Sequence, residues 1–320
     1  AARGRVHEFC YAAISQTSLH TTMLESTLLA TVASVVREGS FERAARVLHI
    51  TPSAVSQRIR QMEERVGAVL IVRGQPCTAT EAGARICRHA DSVAMLEHDL
   101  RRDLPALAPE DAQAVHTTIR IAINADSLST WFVTAMRDFC AQSRVLLDVA
   151  VDDQDQTNEW LRRGHVLAAV TSHAKAVQGC KVRKLGTLRY CATASPAFMQ
   201  QHFASGVNAD TLARAPSIVF DRNDRLQERW VRRQLRRDVA LPAHRLPSSQ
   251  AFVDAALADV GWGMNPLLSV QEHLDKRRLV ELVPGRALDV PLYWQVAQQP
   301  LPELERLTHS VVAAAGQALL

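Results

Sequence analysis

The chain has 320 residues, of which 47% are hydrophobic, 22% charged and only 5% aromatic, with a formal net charge of +4. At about 150 residues per domain this length predicts two domains with sizeable cores, and the balance excludes disorder and fibrous repeats. No apolar run approaches the roughly 18 residues of a membrane span, and the opening stretch AARGRVHEFCYAAISQ lacks a signal-peptide core, so a cytoplasmic protein without membrane contact is expected. A pI near 8.9 permits nucleic-acid binding without demanding it. Cys10, Cys77, Cys87, Cys140, Cys180 and Cys191 stand singly, without metal-ligand spacing, and read as reduced thiols.

Residues 1–22 show little periodicity and read as an N-terminal extension. From Leu24, the positions Leu28, Leu29, Val32, Val35 and Val36 recur at helical spacing, and Gly39 supplies the stop. Ser40 is an N-cap candidate for a second helix of about two turns over Phe41, Ala44, Ala45 and Leu48. Thr51-Pro52 fits the cap and first position of a third helix whose buried stripe is Ala54, Val55, Ile59, Met62 and Val66, closed by Gly67. The β-branched run from Ala68 to Arg73, then Gly74-Gln75-Pro76 and a second run to Ala79, predicts a hairpin. Three helices and a hairpin over residues 23–80 make a winged helix-turn-helix.

Thr80 opens a long helix in which Ala82, Ile86, His89, Val93, Leu96 and Leu100 alternate steps of four and three, the spacing of a coiled-coil seam; an amphipathic helix lying on its own domain is the alternative. Pro105 and Pro109 end it, so residues 81–116 read as linker helix and hinge. Beyond them, β-rich runs at Ile119–Ile123, Val145–Val151 and Val166–Val170 alternate with helical stretches such as Ser129–Gln142, which predicts an α/β domain over 117–320 with a largely parallel sheet.

A helix that reads the major groove must show short polar side chains to base edges and cations to phosphates. The third helix turns Ser53, Ser56, Gln57 and Arg60 outward, with Arg58 as a further cation; Gln57 suits adenine, and Arg60 suits guanine or phosphate. Residues 40–73 hold six arginines against three glutamates, a local +3. The stretch GSFERAARVLHITPSAVSQRIRQMEERVGAVLIVR resembles the N-terminal domain of LysR-type transcriptional regulators. It departs from the commonest pattern at Pro52-Ser53, where Gln-Pro is usual, and at Ile71-Val72, where Phe is usual. The resemblance implies DNA contacts from Ser40, Thr51, Pro52, Ser53, Ser56, Gln57, Arg58, Arg60 and Arg73, and dimerisation through the linker helix, with pairing into a dimer of dimers and contact with RNA polymerase as further candidates.

The resemblance covers nearly all of residues 23–320. Within the family the chain is most similar to the ArgP/LysG-type branch, which responds to basic amino acids and controls their export. IRIAINADSLSTW (119–131), LRRG (161–164), FDRND (220–224), SSQAFV (248–253) and LYW (292–294) carry that match. It implies a two-lobed effector domain of periplasmic-binding-protein type, with one lobe at about 117–188 and 287–320 and the other at about 189–286. The expected effector is lysine or arginine, and the expected target is an amino-acid exporter gene.

The residues agree in kind. Asn124-Ala125-Asp126-Ser127 follows a strand and opens a helix, where backbone N–H groups and the hydroxyls of Ser127, Ser129 and Thr130 could hold an α-carboxylate. Asp126 and Ser127 equally fit plain helix caps. Asp126, Asp221 and Asp224 are the carboxylates for a cationic side chain, although Asp221 and Asp224 also read as solvated loop residues beside Arg222 and Arg225. Trp131 and Phe252 are candidates to cover the ligand's alkyl stem, and Thr171, Ser248 and Ser249 complete the implied pocket.

Two rival classes remain at this point. An enzyme is disfavoured by the absence of GxSxG, HExxH, GxxxxGK[ST] and GxGxxG patterns, and no cofactor or metal is expected. His165 and His173 read as surface residues, and Cys87 and His89, two apart on a helix, make a poor chelate. An architectural or replication-associated DNA-binding protein without effector control would use the same helices.

Overall fold

Local signals at the helix ends shape the N-terminal unit. In the computed structural model, which describes residues 24–104, 117–152, 157–162 and 165–320, α1 (Ser26–Glu38) stops at Gly39 in the left-handed region. Ser40 then caps α2 (Phe41–Val47) by accepting from the Glu42 and Arg43 amides. Thr51 caps α3 (Pro52–Val66), which has Pro52 in its first turn and Gly67 as its left-handed stop. The hairpin is short: β1 (Ile71–Val72) pairs antiparallel with β2 (Thr78–Ala79). Leu28, Val32, Val35, Ala45, Val55, Ile59, Met62 and Leu70 form one core, with the burial of each of the larger side chains contributing about 1.5–3 kcal/mol. Gly39 has a second duty, since a Cβ there would lie 2.8 Å from Pro76 Cβ. Its carbonyl accepts from the Cys77 amide at 2.8 Å, which ties the wing to the end of α1.

The long helix α4 (Glu81–Asp103) crosses the division between two compact units, which falls between Ala90 and Asp91. The single coiled-coil seam read from the sequence is corrected here. Ala82 and Ile86 pack on the helix-turn-helix core, His89 is exposed, and Met95 is buried in the second unit's core. Leu96, Leu100 and Leu104 remain 51% exposed each. Residues 105–116, with the two prolines expected to end the helix, lie outside the described residues.

The second unit is a nine-stranded mixed sheet with helices packed on it. In chain order it runs β3 (Thr118–Asn124), α5 (Ala125–Ser127), a π-helical turn (Leu128–Phe132), α6 (Val133–Cys140), β4 (Leu146–Asp152), α7 (Thr157–Arg162) and β5 (Ala168–Thr171). Then come β6 (Cys180–Ala194), α8 (Pro196–His202), α9 (Ala209–Leu212), β7 (Ser217–Val219), α10 (Leu226–Leu235), β8 (Ala243–Arg245), α11 (Ser249–Leu257) and β9 (Trp262–Pro266). The chain closes with α12 (Leu267–Asp275), β10 (Val280–Glu281), β11 (Leu288–Ala297) and α13 (Pro302–Ala318).

The strand order is β4-β3-β5-β11-β6-β9-β7-β8, with β10 on β6. Parallel pairing holds within β4-β3-β5 and within β9-β7-β8, but the expectation of a largely parallel sheet needs correction. The long strands β6 and β11 pair antiparallel with each other, with β5 and with β9. The reason is topological: the chain leaves the first strand group along β6 and returns along β11, so two lobes share the crossing strands. Their register shifts at Leu292/Tyr293, opposite Gly186, whose φ of 146° and close approach to Leu319 exclude a side chain. The helix expected over 129–142 is broken into the π-helical turn and α6.

Candidate DNA interface and effector cleft

On the N-terminal unit the starts of α2 and α3 and the wing enclose a concave face of about 810 Å³. Ser40, Pro52, Ser53, Ser56 and Arg73 line it; Thr51, Gln57 and Arg60 lie exposed beside it and Arg58 is half-buried. Their hydrogen bonds assign different capacities. The Ser40 hydroxyl donates to Glu42 at 2.6 Å besides its two cap bonds, so it is taken up by the cap and holds the Glu42 carboxyl below its ordinary range. Thr51 Oγ1 accepts from the Ala54 amide and lies 2.9 Å from Ser53 Oγ. Ser56 Oγ donates to the Pro52 carbonyl at 3.0 Å, which leaves its lone pairs to accept from a base amino group. Arg73 is held over the Phe41 ring, 5.5 Å from its centroid. Phe41, Arg43 and Gln75 also line this face and escaped the sequence reading, because only the tertiary fold brings the wing to α2.

In the second unit, the carboxyl ends of the parallel strands in both lobes carry polar groups, the usual place for a ligand in an open α/β sheet. Asn124 ends β3 and Thr171 ends β5; beyond β7 and β8 come the Phe220–Asp224 loop and Ser248-Ser249, while Asn265 lies in β9. Asp126 joins the two sides. Its carboxylate accepts from Tyr190 Oη at 2.7 Å and from Ser249 Oγ at 2.6 Å, and the second of these bonds passes from one lobe to the other. Although Asp126 retains some exposure as a residue, the crowding protein removes water from its carboxylate. Burial therefore raises its pKa against the two hydrogen bonds, and the nearby Asp224 raises it further.

Asp224 is buried, not a solvated loop residue. It accepts from the Phe220 and Leu226 amides, and burial raises its pKa. Asp221 accepts from the Asn223 and Asp224 amides and so shapes the loop. The cap alternative for Asp126 and Ser127 also falls, since Asn124 is the cap residue of α5 and makes no side-chain cap bond. The hydroxyl of Ser127 and Oδ1 of Asn124 and Asn265 are buried without a partner, which in a folded protein asks for an explanation such as a ligand. Asn265 Nδ2 donates to Thr193 at 2.9 Å.

Five sequence candidates have other places. The Ser129 and Thr130 hydroxyls donate back to the Asp126 carbonyl, and with Trp131 they line a separate hollow of about 290 Å³ beside Leu268 and Gln317. Trp131 is buried edge-on to Phe132 and does not cover the Asp126 group. Phe252 belongs to the core of the β7-β9 lobe with Ile218 and Val253. Ser248 caps α11 by accepting from the Ala251 amide. Conversely Tyr190, Asn265 and Thr193 were missed, since no local pattern marks them, and Asn124 was read as part of the helix start without a role for its side chain.

Among the described residues no group of three His, Cys, Asp or Glu could hold a metal ion, and no helix is long and apolar enough to cross a membrane. No disulfide joins the described cysteines, and burial pushes the Cys191 thiol up to about 11, which keeps it unreactive.

A winged helix-turn-helix joined through one long helix to a two-lobed α/β domain with a polar cleft defines a DNA-binding regulator with a small-molecule domain. The chain belongs to the LysR family of bacterial helix-turn-helix transcriptional regulators, and not to an enzyme family: residues 26–84 match the family's helix-turn-helix and residues 112–315 its substrate-binding domain. It is 41% identical over 298 residues to the HTH-type transcriptional regulator ArgP of Pseudomonas fluorescens, covering 93% of this chain and 99% of that one. The crystal structure of ArgP from Mycobacterium tuberculosis is 41% identical, with a TM-score of 0.78, over 93% of this chain and 99% of that one. LysG of Corynebacterium glutamicum, solved with its effector arginine bound, is 34% identical with a TM-score of 0.69, over 92% of this chain and 99% of that one.

Proposed function

We propose that this regulator senses arginine or lysine in the cleft between its lobes and thereby controls an amino-acid exporter gene. The observation that carries the reading is Asp126, a carboxylate poor in water, held between Tyr190 and Ser249 with Asp224 beside it and, among the described residues, no cation paired with it. A guanidinium or ammonium group entering there relieves the mutual repulsion of the two carboxyls, while the partnerless Ser127 hydroxyl and the start of α5 receive the α-carboxylate. Thr171 and Asn265 complete the lining. Similarity to a LysG solved with arginine supports this ligand class. Because the Asp126–Ser249 bond spans the lobes, a ligand that replaces it changes their closure, and that difference in affinity between two arrangements is what couples the cleft to DNA.

On the DNA side, Ser53, Ser56, Gln57 and Arg60 read base edges, and Thr51, Pro52, Arg58 and Arg73 set the register on phosphates, with Ser40 in a capping role. Two chains pair through the exposed Leu96 and Leu100 of α4 and Leu104 just beyond it, in keeping with a cytoplasmic homodimer that places two recognition helices in successive major grooves; pairing into tetramers and contact with RNA polymerase follow the same family reading. The test is fluorescence anisotropy of the full chain on the DNA upstream of its gene and on scrambled DNA, at fixed salt, with and without arginine or lysine. Specific binding altered by one of the two amino acids supports the reading and names the effector. Specific binding indifferent to both returns the protein to an architectural role.

A further inference from the structure

A dense arginine cluster lies outside the helix-turn-helix. Residues 222–237 hold seven arginines against two acids, Asp224 and Glu228, a net +5 that exceeds the +4 of the whole chain. The fold exposes all seven arginines, most of them on one face of a helix and its ends. Leu226, Gln227, Trp230 and Val231 turn into the core, and Trp230 anchors α10 by donating to the Arg286 carbonyl at 2.6 Å. Arg225, Arg229, Arg232, Arg233 and Arg236 follow at helical spacing on the opposite face; Arg222 precedes it, Arg237 follows it, and all seven are exposed. Two are locally neutralised, Arg225 by Glu228 and Arg232 by Asp238, both at 2.7 Å in pairs that solvent weakens. Arg222, Arg229 and Arg237 have no carboxylate within ion-pair distance among the described residues.

We propose that this arginine ridge on α10 is a second DNA-contacting surface, which binds the phosphate backbone of duplex beyond the stretch read by α3. Three features favour DNA over an acidic protein. The exposed residues from Arg222 to Asp238 are all charged or polar, without the aromatic or aliphatic centre that protein interfaces carry. Protein–DNA interfaces are polar and strongly positive, and the guanidinium fork matches a phosphate. The helix alone, at a rise of 1.5 Å per residue, is about 15 Å long. That length matches the axial rise of about four phosphates on one strand.

The ridge lies outside the cleft, so the proposal does not depend on the identity of the effector. The test compares the full chain with an Arg222→Gln/Arg229→Gln/Arg237→Gln variant by anisotropy over a salt series, on a duplex trimmed to the footprint of the recognition helices and on one extended to both sides. A second variant, Lys276→Gln/Arg277→Gln/Arg278→Gln, removes the same number of positive charges elsewhere on the lobe. On the extended duplex the ridge variant is expected to lose about 0.9 in the slope of log K against log salt for each phosphate contact removed, while the second variant keeps the parent slope. On the trimmed duplex all three proteins coincide. Equal slopes for parent and ridge variant on the extended duplex overturn the proposal and leave the ridge to an acidic protein. An equal loss for both variants overturns it too, since that is the effect of overall charge. Failure of the amino-acid response alone leaves these slopes as expected, so the two readings fail separately.

Discussion

Replacing Asp126 with Asn tests the cleft through charge alone. The carboxamide keeps the shape and both neighbours: its oxygen still accepts from Tyr190 and its amide group donates to Ser249. What disappears is the negative charge. A hydrogen bond to a charged group contributes about 1.5–3 kcal/mol, so arginine or lysine should bind the Asp126→Asn protein about ten- to a hundred-fold more weakly by isothermal titration calorimetry. Stability should move the other way. Burial raises the Asp126 pKa in the folded chain, so between the ordinary value of 3.8 and the folded value the folded chain holds a proton that the unfolded chain has released. The stability tied to this group is therefore full below 3.8 and is lost as pH rises through the folded value. Without ligand, Asp126→Asn should melt higher than the parent at neutral pH, and the gap should close in acid. A bound cation favours the ionised carboxylate, so the parent should release protons on binding and bind more tightly as pH rises, a dependence that the variant flattens. Unchanged affinity for both amino acids, with no proton release, would refute the assignment of Asp126 as counter-ion.

Gln57→Ala should cost about 1–3 kcal/mol on the specific site and little on scrambled DNA, whereas Arg73→Ala should weaken both alike and lower the salt slope by about one; equal loss on every sequence from Gln57→Ala removes it from the base-reading set. Leu100→Asp puts a charge into the exposed stripe of α4 and should shift sedimentation toward the monomer while the melting temperature stays near the parent's, because that side chain is outside the core; an unchanged dimer would place the interface elsewhere. Thr51→Ala removes the cap of α3 and should lower stability by about 1 kcal/mol, read as a fall in melting temperature.

The helix-turn-helix was legible because its signals are local. Gly39, Ser40, Thr51-Pro52 and Gly67 announce where helices start and stop, and all four act where the pattern puts them. The seam of α4 was read as one surface because periodicity shows which face is apolar and not what covers it: Ala82 and Ile86 face their own domain's core, while Leu96 and Leu100 face solvent. In the cleft, a strand followed by a helix start led to Asp126. Its partners Tyr190 and Ser249 lie 64 and 123 residues away, so no window of sequence could pair them. Ser129 and Thr130 were assigned to the same site as hydroxyls at a helix start, and Trp131 as a cover for the ligand's stem, but the turn from Leu128 to Phe132 is π-helical, with extra residues per turn, and the three line another hollow.

Net charge misled for a related reason. The segments 40–73 and 222–237 carry +3 and +5, so the rest of the chain is net acidic, and a total of +4 describes neither surface. Within the second segment the fold separates charges that sequence leaves side by side. Asp224 turns inward, where the Phe220 and Leu226 amides hold it near Asp126, while its neighbours on either side, Arg222 and Arg225, face water. The cleft can therefore attract a cation although arginines flank Asp224 in the chain. At physiological ionic strength the screening length is about 8 Å, so repulsion from the ridge fades at short range in solvent. The carboxyl pair, shielded from water, is screened far less. Ligand selection accordingly rests on the buried acids, and the arginines outside remain available for a polyanion.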